Sequence, residues 1–153
     1  MEQNKIERFN VRVYLIFIED HRVLLSDEIL NGKHCTKFPG GGLEFGESTI
    51  DCAHREAMEE MKSEIEVNSH FFTTDEFVPS SFRDEDQIIS IYYRCKFKGA
   101  KKFRETTAKF DFQQFIEREE SFRWVKLNDL SNERMTFATD EKVRDLLVSM
   151  RKS

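Results

Sequence analysis

Within residues 41–60 stand a glycine, a guanidinium and four carboxylates at telling spacings: Gly41, Glu47, Arg55, Glu56, Glu59 and Glu60. Carboxylate oxygens sharing a cation with retained waters are the ligand set Mg²⁺ prefers. Placed beside glycines that expose their backbone, such a set suits the cleavage of a diphosphate. Nothing else in the chain is comparably specific.

The chemistry depends on a helix. Ser48 is positioned as its N-cap, with Asp51 three residues on in a capping-box place, so the spacing predicts a helix over Thr49–Met61. At 100° per residue, Ile50, Ala53, Ala57 and Met61 share a packing face with His54 at its edge, and Glu56, Glu59 and Glu60 occupy the adjoining face. Like charges at this spacing repel by a few tenths of a kcal/mol, a conflict that a divalent cation removes. Glu47 precedes the helix, near the positive end of its dipole, and Arg55 can hold a glutamate rotamer through a bidentate pair. A Glu-rich helix is ordinarily a solvated face, and a lone arginine there an ordinary surface ion pair. Six fixed residues at fixed gaps, each at a usage of about 5–10%, coincide in only about one in 10⁵ chains of this length, so the solvated-face reading is set aside.

Other elements must carry this helix. Val11–Ile18 is apolar and β-branched, with Arg12 its only charge, and reads as a buried strand. The turn 19–22 and the returning Val23–Leu25 make a hairpin. Asn31-Gly32 marks a loop, and residues 36–38 run extended into Pro39-Gly40-Gly41-Gly42, which cannot continue a helix. Ile65–Thr73 and Gln87–Phe97 read as strands around a loop over 78–86, residues 99–109 as a basic, polar loop, and Phe122–Leu127 as a last strand. Asp129-Leu130 starts a helical turn. Asp140–Met150 is an amphipathic helix with Val143, Leu146, Leu147 and Met150 inward.

Composition sets bounds. At 153 residues, one domain over 1–153 is expected, with 15 phenylalanines supplying much of its core. The net charge of −5 offers no positive field for nucleic acid or an anionic membrane. The three cysteines, Cys35, Cys52 and Cys95, lack any CxxC spacing, which fits reduced thiols. Residues 1–8 show no signal-peptide stretch, and no window approaches the ~18 apolar residues of a membrane span. Cytoplasm is the expected location, with no nucleic-acid or membrane partner.

The pattern Gly41-x5-Glu47-x7-Arg55-Glu56-Ala57-x-Glu59-Glu60 resembles the Nudix box, the signature of the Nudix hydrolases. Pro39-Gly40-Gly41 and Phe122-Arg123-Trp124-Val125 also sit where that family carries such residues. The resemblance implies an α/β fold: an α/β/α sandwich with a mixed sheet and a loop-helix-loop box. It implies hydrolysis of a nucleoside diphosphate linked to a moiety X. Glu56 and Glu60 would be the principal Mg²⁺ ligands (Mn²⁺ a substitute), Glu59 a further ligand and Glu47 a secondary one. Arg55 would orient the catalytic glutamates, and Gly41 with Gly40 would offer backbone to metal or phosphate. The family's general base is a box glutamate or one from a distant loop. Candidates are Glu59, Glu47, Glu119 and Glu120, and Glu120, four residues before Trp124, leads outside the box. By family analogy a homodimer is expected.

Three positions depart from the pattern. Lys62 stands where the box closes on glycine, and Ser63 where an apolar residue follows. Ser26-Asp27-Glu28 replaces basic residues that many members carry there, leaving Lys33, Lys37 or Arg83 to contact phosphate. Pro79, sixteen residues past Ser63, resembles a marker of the ADP-ribose-cleaving subgroup. Phe38, Phe77, Phe82, Tyr92 and Tyr93 are candidates to stack a base, although core is the commoner fate of such residues. The four histidines share no catalytic spacing. The leading expectation is hydrolysis of ADP-ribose or an NDP-sugar. The alternatives are cleavage of a nucleoside triphosphate to monophosphate and pyrophosphate, and a non-catalytic nucleotide sensor.

Overall fold

The computed structural model describes residues 5–151; the reading of residues 1–4 as free of an apolar leader, and the last two residues of the 1–153 span, lie outside the described residues. The first strand, β1 (Arg8–Glu19), extends past its apolar centre at both ends. Val13, Leu15 and Phe17 join one core cluster, and Tyr14 and Ile16 another. A strand covered on both faces needs no polar side, so it reads as a continuous apolar run. Asp20 and His21 both take left-handed backbone, φ 49° and 59°, as a two-residue hairpin requires. β2 (Arg22–Leu30) runs well past the expected Val23–Leu25, with Ser26, Asp27 and Glu28 buried inside it.

β3 (Lys33–Lys37) folds back along β2. Gly40–Gly42, read only as a run that cannot continue a helix, form a short strand, β4, against Arg12–Tyr14 of β1. Gly40 has φ 141°, and a Cβ there would lie 2.1 Å from the Val13 carbonyl oxygen. The strand can approach β1 so closely only because that atom is missing.

The helix α1 occupies Thr49–Met61 as the spacing predicts, closed by a full capping box: the Asp51 N–H donates to Ser48 Oγ, and the Ser48 N–H to Asp51 Oδ2, both at 3.0 Å. It stops at Lys62, which accepts the left-handed conformation (φ 51°, ψ 31°). The Lys62 ammonium donates to the Glu59 carbonyl at 2.9 Å, a cation satisfying the negative end of the helix. Ser63, in place of an apolar residue, is buried but satisfied, donating to the Met61 carbonyl and accepting from the Lys102 N–H.

The chain continues through β5 (Ile65–Thr73), β6 (Asp86–Phe97), β7 (Glu105–Thr106), β8 (Glu120–Lys126), a 3₁₀ helix (Leu127–Asn132) and α2 (Ala138–Arg151). β7 is a brief strand inside the segment read as loop. The strands form one mixed sheet in the order β5-β6-β1-β2-β8-β7, with β4 added to β1 and β3 to β2. β1–β6 and β7–β8 are parallel and the remaining pairs antiparallel. α1 packs with Val13, Leu24 and Trp124 on one face, and α2 with Ile16, Leu25 and Val125 on the other. This is the expected α/β/α sandwich.

Two face assignments need correction. Ile50 is 46% exposed, and Cys52 takes its place in the core. The buried arc of α1 centres between Ala53 and Glu56, leaving Ile50 at its edge in the first turn. On α2, Val143 and Leu147 are buried, but Leu146 and Met150 are exposed, and the buried Asp140 joins the inner face instead. All three cysteines are free and buried. Among the described residues no helix is long and apolar enough to cross a membrane.

Candidate active site

β1 and β2 share only the ladder pairs Ile18↔Val23 and Glu19↔Arg22. Beyond them each strand takes a new partner, β1 pairing with β4 and β2 with β3. The sheet therefore divides, and a cleft of about 1250 Å³ opens along the division. That exceeds the usual ~300–1,000 Å³ of a small-molecule pocket.

The box residues reach the cleft from α1. Glu56 is buried, with its carboxylate directly behind Gly41, where an added Cβ would lie 2.5 Å from Oε1. Glu60 accepts from the Gly40 N–H at 3.3 Å. Glu59 lies at the rim, its side chain 58% exposed. Arg55 ties the set together. It donates to both oxygens of Glu47 (2.9 and 2.7 Å), to Glu56 Oε1 (3.0 Å), to Glu59 Oε2 (3.1 Å) and to the Gly42 carbonyl (2.9 Å). The Arg55 hydrogen bonds hold the Glu47 carboxyl down at about 2, against opposition from burial.

The opposite wall comes from β2 and β8. Glu120, read as loop, opens β8 in register with Glu28 of β2. Its Oε2 accepts from Ser26 Oγ at 2.7 Å. Glu119 does not line the cleft, whereas Glu120 and Glu28 do. The run 26–28 thus splits by strand alternation. Glu28 lines the cleft with Ser26 on the same side of β2, and Asp27 faces the other way, taking Arg123 (2.8 and 3.1 Å) and the Thr36 hydroxyl (2.8 Å).

Lys37 is buried between the walls, 3.4 Å from Glu28. Burial alone would lower its ammonium, but Glu60, Glu120 and Glu28 more than offset that and raise it. It is the internal counter-charge of the glutamates. Arg83 lines the cleft; Lys33 is exposed on β3 and does not. Burial also pushes the Glu60 carboxyl well above the usual range, with Glu120, Glu56 and Glu28 adding to the rise and Lys37 opposing it. Glu120 is raised as well, by burial and then by Glu28, against Lys37.

This donor set fits a hard divalent cation: all oxygen, in excess over its buried ammonium, with backbone beside it. Among the described residues no three acidic, histidine or cysteine side chains converge closely enough to hold a metal as they stand. Arg55 draws Glu47, Glu56 and Glu59 to itself instead.

Of the aromatic candidates, Phe38 and Tyr92 are core, Tyr93 bonds Thr49 on the α1 side, and Phe77 is exposed away from the cleft. Phe82 lines the mouth, 5.9 Å edge-on from Phe137, with Pro79 nearby, bridged to Gln87. Arg12, Tyr14, Glu28 and Asp140 are among the cleft residues missed as site candidates. Strand alternation would have set Glu28 beside Ser26, and the lone charge in an apolar strand singles out Arg12. Asp140 is buried and accepts from the Tyr92 hydroxyl, a pairing with no trace in local sequence.

A family model described as the NUDIX domain matches residues 7–147. The chain resembles the solution structure of the E. coli ORF135 protein (TM-score 0.72, 16% identity, 94% of this chain and 91% of that one). It also resembles the MutT NUDIX hydrolase from Burkholderia pseudomallei (TM-score 0.68, 18% identity, 91% and 98%). A third likeness is to a UDP-X diphosphatase (TM-score 0.65, 18% identity, 96% and 66%). A comparison with curated protein sequences finds no match.

Proposed function

The chain belongs to the NUDIX family, and from that premise we propose that it is a Mg²⁺-dependent pyrophosphohydrolase, a single domain over 1–153, cleaving the diphosphate bond of a nucleoside diphosphate linked to X, of the ADP-ribose or NDP-sugar type. One observation carries the reading. Glu56 and Glu60 stand against the bare backbone of Gly41 and Gly40, facing Glu120 and Glu28 across a cleft that continues well past them. A short cavity would suit pyrophosphate alone; this one leaves room for groups on both sides of it.

Glu56 and Glu60, with Glu59 and Glu47 as further ligands, would hold Mg²⁺, and Mn²⁺ would substitute. When bound, the metal offsets charge developing on the phosphate oxygens. Arg55 fixes the rotamers of Glu47, Glu56 and Glu59. Gly41 and Gly40 leave space and backbone for phosphate. Glu120, oriented by Ser26 Oγ, accepts the proton of the attacking water at its carboxylate. The similar UDP-X diphosphatase supports an NDP-X substrate, as does Pro79 at the cleft mouth.

A panel of ADP-ribose, NDP-sugars, dinucleoside polyphosphates and nucleoside triphosphates, assayed with Mg²⁺, tests the reading. Turnover of an NDP-X to a nucleoside monophosphate and X-phosphate is expected. Clear triphosphate cleavage with no NDP-X turnover overturns it.

A further inference from the structure

We infer that Arg12 determines substrate specificity in this cleft: its guanidinium, set by the Tyr14 hydroxyl, grips the substrate phosphate that lies between the glutamates and the cleft mouth. This rests on the diphosphate reading above and names the group that anchors the nucleoside side.

Arg12 is the one charge in the apolar stretch Val11–Ile18 of β1, and it lines the cleft. Its Nε donates to the Tyr14 hydroxyl at 2.6 Å, which fixes the plane of the guanidinium. Its two terminal amines carry no hydrogen bond among the described residues, and no carboxylate among them lies within ion-pair distance. Among the other arginines, Arg8 is committed to Asp86, Arg55 to Glu47, Arg104 to Asp111, and Arg123 to Asp27 and Glu133, while Arg83 and Arg118 line the cleft from exposed loops. Tyr14, Glu56 and Glu28 offset the cost of burying the Arg12 charge, but the unused pair of guanidinium donors leaves hydrogen bonds to protein unmade. The same planar fork matches two oxygens of one phosphate.

Its place on the strand fits that role. Arg12 pairs with Gly42, one residue from the Gly41 that backs onto Glu56. Along the same face of β1, Asn10 and Arg8 follow outward at about 6.6–6.8 Å per pair of residues. Asn10 pairs with Ile88 of β6, level with the apolar mouth formed by Phe82, Phe137 and Pro79. The cleft therefore reads, from inside out, as carboxylates, an anion fork, and an aromatic rim. A nucleoside diphosphate derivative has the same order: the scissile linkage, the phosphate on the nucleoside side, and a flat base. Lys37 cannot serve as this anchor, because Glu28, Glu60 and Glu120 already absorb its charge.

Arg12→Ala, Arg12→Gln and Tyr14→Phe are compared with wild type and with Glu60→Gln. The readouts are kcat and KM on the NDP-X that wild type turns over, calorimetric binding of α,β-methylene-ADP with Mg²⁺, and Tm. Both Arg12 variants should weaken analogue binding and raise KM by about 10–100-fold with kcat changed far less. Tyr14→Phe should raise KM by about 3–10-fold. Glu60→Gln should instead lose kcat. A purely structural Arg12 would move Tm and leave the division between KM and kcat untouched. Wild-type turnover with Arg12→Gln binding the analogue within about twofold of wild type overturns the inference alone. A wild type that turns over no NDP-X overturns the diphosphate reading and this inference together.

Discussion

Arg55 and Glu47 meet as a fork on a fork: Nε lies 2.9 Å from Oε2 and Nη2 lies 2.7 Å from Oε1. The pair joins the loop before α1 to its second turn, and the remaining Arg55 donors reach Glu56 and Glu59. Lysine at 55 would keep the charge and lose the parallel bonds. Arg55→Lys should therefore lower kcat by about 10–100-fold, as loss of a residue that orients metal ligands typically does. Steady-state kinetics decide it; an unchanged kcat would remove Arg55 from the orienting role.

Adjacent glycines should fail in different ways. A methyl at Gly41 meets the Glu56 carboxylate, 2.5 Å from Oε1, the end of a side chain that can swing aside. A methyl at Gly40 meets Val13 backbone at 2.1 Å, at φ 141°. Gly41→Ala is expected to fold with a Tm within a few degrees of wild type while kcat falls at least about tenfold, since the displaced group is a proposed metal ligand. Gly40→Ala should lose several kcal/mol or fail to fold. Equal melting temperatures for the two would contradict this division.

Lys62 is held left-handed against its preference. Glycine there relieves roughly 1 kcal/mol of backbone strain. The lost ammonium bond to Glu59 O is solvent-exposed and offsets little of it. Lys62→Gly should raise Tm by about 2–4 °C for a chain of this size. A lower Tm would mean that the ammonium, rather than the backbone, governs the helix end.

Burial pushes the Asp140 carboxyl up to about 6, with the Tyr92 hydrogen bond holding it back in part. Its unfolded value is near 3.9, so between about pH 4 and 6 the native state binds more protons than the unfolded one. The stability from this group is complete below about pH 4 and is lost as pH rises through about 6. Asp140→Asn keeps an oxygen for Tyr92 and does not ionise. Relative to wild type it should gain on the order of 1–3 kcal/mol between pH 4 and 7, read from urea melts across that range. A difference that stays flat with pH would contradict the buried ionisation.

The sequence is most legible where physics is local. Ser48 and Asp51 announced the start of α1, and the spacing of Glu56, Glu59 and Glu60 announced its acidic side, because both follow from helix geometry alone. Ile50 and Leu146 misled because periodicity gives the direction of a face and not the edge of what covers it. Glu120 was found by its offset from Trp124, yet its place in a strand beside Glu28 depends on a register set by chain nearly a hundred residues away. Arg12 stood out as a solitary charge, but its meaning needed Tyr14, Gly42 and the divided sheet. Tyr92 and Asp140 approach only because β6 lies parallel to β1 and α2 closes over both.

The register of Glu28 with Glu120 also sets an order in time. A growing chain makes α1 and its glutamates early, but one wall of the cleft waits for β8 and the mouth waits for α2. Until those arrive, the glutamates of α1 lack the opposite wall, and the long-range parallel pairing of β1 with β6 is itself a slow kind of contact to form. The opposite wall of the cleft is thus supplied by segments that follow the signature motif, so a chain cut before β8 would carry the whole motif and lack Glu120 and the partner strand of Glu28.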